Sequence, residues 1–179
     1  MHDPRSIANF IIDVRRFLNA ETTSLELQKL LYFCHASYLK RYGTPLVSGN
    51  FEAWDFGPVH PVVYKAFKSF GRSAIISRAK SINAVTGEVR PIPRPDKPVQ
   101  RHVIQTVTSL FDMTAGQLVD LSHAKNAPWD VVWRHKDSRG TIISDRTIDE
   151  HYRFHHLPRI ASEKTDASIA FEDVPPYDH

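Results

Sequence analysis

Leu25–Tyr42, reading LELQKLLYFCHASYLKRY, decides the fold. From Leu30 to Leu39 it sets Leu30, Leu31, Tyr32, Phe33, Cys34, Ala36, Tyr38 and Leu39 on nearly every side of a helical cylinder. A helix apolar nearly all round has no face to give to water, so it belongs inside a core. Its ends are equally marked. Thr23 followed three positions later by Glu26 is a capping box, in which hydroxyl and carboxylate satisfy the N–H groups that a first turn leaves free. Gly43 supplies a left-handed residue past the last turn, and Pro45 prevents the helix from resuming.

On the N-terminal side, Ile7, Phe10, Ile11, Val14, Phe17 and Leu18 recur at three- and four-residue intervals, with Asp3 as cap and Pro4 in the first turn. This predicts an amphipathic helix closing over the central one. On the other side, Phe51, Ala53 and Asp55 alternate with Glu52, Trp54 and Phe56, which predicts a short strand ended by Gly57-Pro58. His60-Pro61 opens a helix with Val63, Tyr64, Phe67 and Phe70 inward, stopped by Gly71. Residues 72–97 read as a hairpin or loop excursion turning at Thr86-Gly87, followed by an extended run at Pro91, Pro93 and Pro95.

Helical spacing returns over Val99–Phe111, where Val103, Val107, Leu110 and Phe111 form the stripe. Thr114 with Gln117 is a second capping box. Asn126-Ala127-Pro128-Trp129 starts a further helix with Trp129, Val132 and Trp133 inward. Ile142-Ile143 is an extended link. Ser144 then caps a last helix through Ile148 and Tyr152 toward His155, ending before Pro158. The expected architecture is α+β and mainly α-helical: one compact domain over residues 1–160 with a small antiparallel β element. Residues 161–179 hold few large apolar side chains and cannot offset their ordering entropy, so they are expected to form a flexible tail.

Composition narrows the setting. With 41% hydrophobic and 24% charged residues the chain has the make-up of a soluble globular protein, and no apolar run approaches the roughly 18 residues of a membrane span. MHDPRSIANF lacks the pattern of a signal peptide, and the single Cys34 cannot form an internal disulfide, so a cytoplasmic location is expected. The net charge of +3 permits an acidic partner without demanding one.

Three stretches together carry a resemblance. Leu27-Gln28-Lys29-Leu30-Leu31-Tyr32-Phe33, then Glu52-Ala53-Trp54-Asp55-Phe56-Gly57-Pro58-Val59 with Val63-Tyr64, and finally Leu121-Ser122-His123 with Pro128-Trp129 resemble the Panacea domain. That is the family of phage-associated GepA-like proteins and SocA-like antitoxins. The likeness covers roughly residues 6–156 and rests on no single motif. It departs at Ser122, where a threonine is expected, and in the tail, which has no counterpart. The resemblance implies a non-enzymatic bacterial or prophage antitoxin, without a cofactor, that binds and neutralises a cognate protein toxin. A SocA-like member acts as a proteolytic adaptor, so ClpX of the ClpXP protease is a further implied partner.

Other chemistries compete with this reading. His151 and His155 share a helix face beside His156, but a metal site needs a third ligand such as His35, His60 or His123; solvated histidines near a helix C-terminus are the simpler reading. Cys34 and His35 point about 100° apart on a helix, so core packing of Cys34 is favoured over a nucleophile–base pair. No Gly-rich phosphate loop, GxSxG elbow or paired CxxC is present, leaving a metal-dependent enzyme as the weakest alternative. A DNA-binding regulator of its own operon would use Arg15-Arg16, Lys40-Arg41, Arg72, Arg78, Lys80, Arg90 and Arg94, spread over several elements without a helix-turn-helix pattern.

The Trp54–Val59 segment has two readings. As structure, Trp54 and Phe56 fill one layer of the core, Gly57 permits a tight turn and Pro58 fixes its exit. As function, the turn sits beside Tyr64 and the His123–Trp129 segment in an aromatic hollow on which a toxin segment docks. The partner-binding residues on that reading are Trp54, Phe56, Gly57, Pro58, His60, Tyr64, His123 and Trp129.

Overall fold

The Asp3 carboxylate accepts the Arg5 backbone N–H at 2.8 Å, and Pro4 fills the first helical position of α1 (Pro4–Phe17). The second helix, α2 (Ser24–Tyr42), begins in the expected capping box: the Glu26 N–H donates to Thr23 Oγ1 at 3.3 Å and the Thr23 N–H to Glu26 Oε2 at 2.9 Å. It ends at Gly43, whose φ of 67° turns the chain away while its N–H reaches Leu39 O at 2.8 Å. The computed structural model describes residues 1–134 and 139–153. The expected tail over 161–179, and with it His155 and His156, lies outside the described residues.

Around α2 pack α1, α3 (Pro61–Phe67), α4 (Lys97–Ser109), α5 (Ala115–Ser122), α7 (Asp145–His151) and strand β2 (Gly57–Val59). Leu27, Leu31, Cys34 and Ala36 are wholly removed from solvent, and each Leu contributes about 1.5–3 kcal/mol on burial. The Tyr32 ring meets Phe33 and Phe51 edge-on at 5.4 Å and Tyr152 at 6.3 Å. Cys34 sits among these apolar neighbours, and burial pushes its thiol well above the usual range, as suits a packing residue.

Polar side chains of α2 are also buried, and most find partners in neighbouring elements. His35 Nε2 lies 2.9 Å from Asp145 Oδ1 at the start of α7, while its Nδ1 accepts the Val47 N–H at 3.5 Å. Ser37 Oγ donates to Phe33 O at 2.6 Å.

The strand expected over 51–56 is a hairpin. β1 (Phe51–Trp54) turns through Asp55-Phe56 and returns as β2, with Trp54 opposite Gly57 and Ala53 opposite Pro58. Gly57 and Pro58 therefore begin a strand rather than end one. Gly57 takes a φ of 98°, and Pro58 is tolerated because β2 is an edge of the sheet. On the other flank the Ile142-Ile143 link is strand β5 (Thr141–Ile143), antiparallel to β1. The 72–97 excursion contains a second hairpin, β3 (Lys80–Ile82) with β4 (Val89–Pro91). α6 (Pro128–Trp133) completes the fold, a mainly helical α+β domain.

Three side chains expected inside are not. Phe17, at the last position of α1, and Tyr64 are each 38% exposed, and Phe56 is 67% exposed. Val63 and Phe67, four apart, own the inward face of α3, and Tyr64 is about 100° from Val63. Phe56 sits in the two-residue turn, where the pleat no longer dictates its side. The last helix is also shorter than expected, stopping at His151 with the buried Tyr152 at its C-cap.

Candidate partner-binding face

The β1–β2 turn projects where α3, α5 and α6 meet the sheet, and the aromatic residues of that region form a stack. Trp129 donates its indole N–H to Trp54 O at 2.9 Å, which fastens α6 to the end of β1. Its ring lies on the His123 imidazole at 3.6 Å, nearly parallel, and on Trp133 at 5.0 Å. Trp54 in turn meets Tyr64 at 4.8 Å and donates to Glu52 Oε2 at 2.9 Å. All three tryptophans of the chain thus belong to one face. The Arg139 guanidinium covers Trp54 at 5.7 Å and pairs with Asp55 at 3.3 Å. Phe56, Tyr64 and Val62, the last 45% exposed, present apolar surface to solvent.

Of the eight residues expected from sequence, Trp54, Tyr64, His123 and Trp129 converge here, and Phe56 stands exposed on the adjoining turn. Gly57 and Pro58 are buried and shape the turn from below. His60 lies inward, 1% exposed, with its ring Nε2 donating to Ser48 O at 3.0 Å and its backbone N–H to Gln28 Oε1 at 2.8 Å. Burial lowers the proton affinity of its imidazole.

Sequence reasoning passed over Lys29. Its side chain is wholly buried and its amine donates to Pro58 O at 2.9 Å, directly beneath the turn. Desolvation pushes its pKa down to about 7. Ser122 closes the same space: a Cβ placed on Gly57 would lie 2.6 Å from Ser122 Oγ and 2.7 Å from Lys29 Nζ, so only glycine fits. His123 Nε2 is buried without a hydrogen-bond partner among the described residues. Its pKa is lowered first by burial and then by the Lys29 charge, against the opposing pull of Asp120 and Asp130. The sequence signals for Lys29 are its place within a helix apolar nearly all round and within the stretch that carries the family resemblance.

The other candidate chemistries gain little. Cys34 and His35 are both fully buried and face the core. Among the described residues no three His, Cys, Asp or Glu side chains gather as a metal site. Several of the basic groups considered for DNA are taken by carboxylates: Arg78 and Arg94 by Asp13, Arg90 by Glu88, Lys40 by Asp149. No described helix is long and apolar enough to cross a membrane.

A family model described as antitoxin SocA-like, Panacea domain, matches residues 27–130, from the start of the LQKLLYF stretch into the first turn of α6. The chain belongs to this family. Antitoxin SocA of Caulobacter vibrioides is 36% identical to it over 178 residues, covering 97% of this chain and 94% of that protein. No solved structure matches. The Panacea match takes in α2, the β1–β2 hairpin and the His123–Trp129 stack, so the face and its buried support lie inside it, with Trp133 and Arg139 beyond its end.

Proposed function

We propose that the protein is the antitoxin of a bacterial or prophage toxin–antitoxin pair and neutralises its cognate toxin in the cytoplasm by direct contact through the Phe56–Tyr64–Trp54 face. The observation that carries this reading is the exposure of Phe56 at 67% on a turn otherwise fastened by buried groups. A large apolar side chain held in water on a rigid support has the make-up of a binding anchor. Likeness to a protein named antitoxin supports the role. The finer proposal is that the bound toxin is delivered to ClpXP, with this chain as adaptor to ClpX.

The test is co-expression with the product of the adjacent open reading frame. The expected result is that the product is toxic alone, harmless with this chain, and co-purifies with it; a harmless product that does not co-purify removes the reading. Adaptor action is read separately. The toxin's half-life should lengthen on deleting either this chain or ClpX, and an unchanged half-life leaves simple binding as the mode.

A further inference from the structure

Lys29 is a lysine in a wholly buried position of the core helix α2. Its amine is enclosed, with Pro58 O as its hydrogen-bond acceptor, and among the described residues no carboxylate pairs with it. With that one acceptor a buried ammonium leaves two N–H groups and a full charge uncompensated, whereas a neutral amine leaves one N–H and no charge. Three bases whose proton affinity is lowered surround one short segment, residues 57–60: Lys29 below it, His60 at its end and His123 beside it.

We infer that Lys29 is a positioning residue for the partner-binding face, a protonatable strut from the core helix that holds the 55–58 turn through the Pro58 carbonyl and lets acid release it. The inference rests on the proposed function only in naming the face as partner-binding.

The groups facing the strut fix the direction of the effect. From β2 comes the Pro58 carbonyl, from α5 come Ser122 and His123, and Asp120 and Asp130 of α5 and α6 act on His123. Asp3, Glu52 and His35 act on His60. The amine that titrates at 10.5 in an open chain does so at about 7 in the fold, so the fold prefers the neutral form. Stability from this group is full above 10.5, falls as pH drops toward about 7, and is fully lost below that. Acid therefore favours states in which Lys29 reaches water. The cheapest of these lifts the turn off Lys29, because β2 is an edge strand of three residues while α2 is packed on every side.

All three tryptophans sit on this face, so intrinsic fluorescence of the full chain reads it without any partner. The wild type is expected to show a transition with midpoint near 7, and protection of the Gly57, Val59 and His60 amides should fall across it. Lys29→Met, close in shape but not protonatable, should lose that transition. The transition of His123 should then move up, since the amine no longer opposes protonation of the imidazole. His123→Gln should keep the transition near 7. Direct observation of the 13C-labelled Lys29 Cε resonance in the wild type makes the outcome independent of any variant's folding. Titration of Lys29 only near 10.5, or persistence of the transition in a folded Lys29→Met protein, overturns the inference. Toxin affinity measured on both sides of the midpoint should follow the fluorescence. A face that titrates while affinity stays constant upholds the strut and overturns the placement of the toxin on this face.

Discussion

The described residues form two short antiparallel hairpins, and both expose apolar side chains, yet they are built differently. β1–β2 is joined to β5 on one side, held from below by Lys29 on Pro58 O, and clamped by the Trp129 indole on Trp54 O. β3–β4 stands alone as a two-stranded ribbon whose strands are almost wholly exposed, with Ile82 opposite Val89 and Val85 at 94% exposure near the turn. Only the roots of the ribbon are fixed: Asn9 exchanges two hydrogen bonds with Ala79 at 2.9 and 2.8 Å, and Asp13 pairs with both Arg78 and Arg94. Exposure of apolar surface therefore does not by itself distinguish a binding face. On the reading proposed above, rigid support beneath the exposed side chain makes that distinction, because a pre-held anchor loses less entropy on binding.

The sharpest way to break this comparison is to cut the ribbon's root. Asp13→Ala removes a buried carboxylate that serves two guanidiniums, and breaking such a pair costs about 3–5 kcal/mol. Denaturant unfolding should register a loss of that order, while Trp fluorescence of the native state stays unchanged because the aromatic face is elsewhere. Gly57→Ala comes next. The new Cβ meets Lys29 Nζ and Ser122 Oγ at a positive φ, a strain of about 1–3 kcal/mol, and here the fluorescence should shift along with stability. If Gly57→Ala leaves the tryptophan spectrum untouched, the turn is not tied to the face as described.

The two hairpins also differ in how far they could be read from sequence. The ribbon was legible because Thr86-Gly87 lies between its strands where a turn signal should be. β1–β2 was not, because its loop is Asp55-Phe56, which carries no turn signal, and Gly57 falls one residue later as the first of the returning strand. The alternation from Phe51 to Phe56 then reads as one strand. α2 was readable end to end because its capping box and Gly43 are local chemistry. Lys29 was not, since nothing in the spacing of apolar residues says that a lysine among them points inward. Burial of that amine depends on a carbonyl 29 residues away. The aromatic residues of the face could be named but not oriented, because whether Tyr64 or Val63 faces inward is set by the phase of a helix of seven residues.

Smaller effects separate support from surface within β1–β2 itself. Phe56→Ala should change stability by less than about 0.5 kcal/mol, as an exposed turn residue. Toxin affinity should nevertheless fall by about 2 kcal/mol, roughly 30-fold, in a titration by calorimetry. The same affinity for Phe56→Ala and wild type would move the anchor off this turn.

The smallest effect is expected on the ribbon. Val85→Ser replaces the most exposed hydrophobic side chain of the described residues, and both stability and toxin affinity should stay within about 0.5 kcal/mol of wild type. This near-null result is informative, because fractional exposure alone would rank Val85 above Phe56 as a contact: it is 94% exposed against 67%. Val85 sits at the end of strands that make no contact with a third strand, so any partner docking there must also hold the ribbon still. A loss of affinity for Val85→Ser comparable to that for Phe56→Ala would mean that the toxin orders the ribbon on binding, and that support beneath the anchor is not what selects the face.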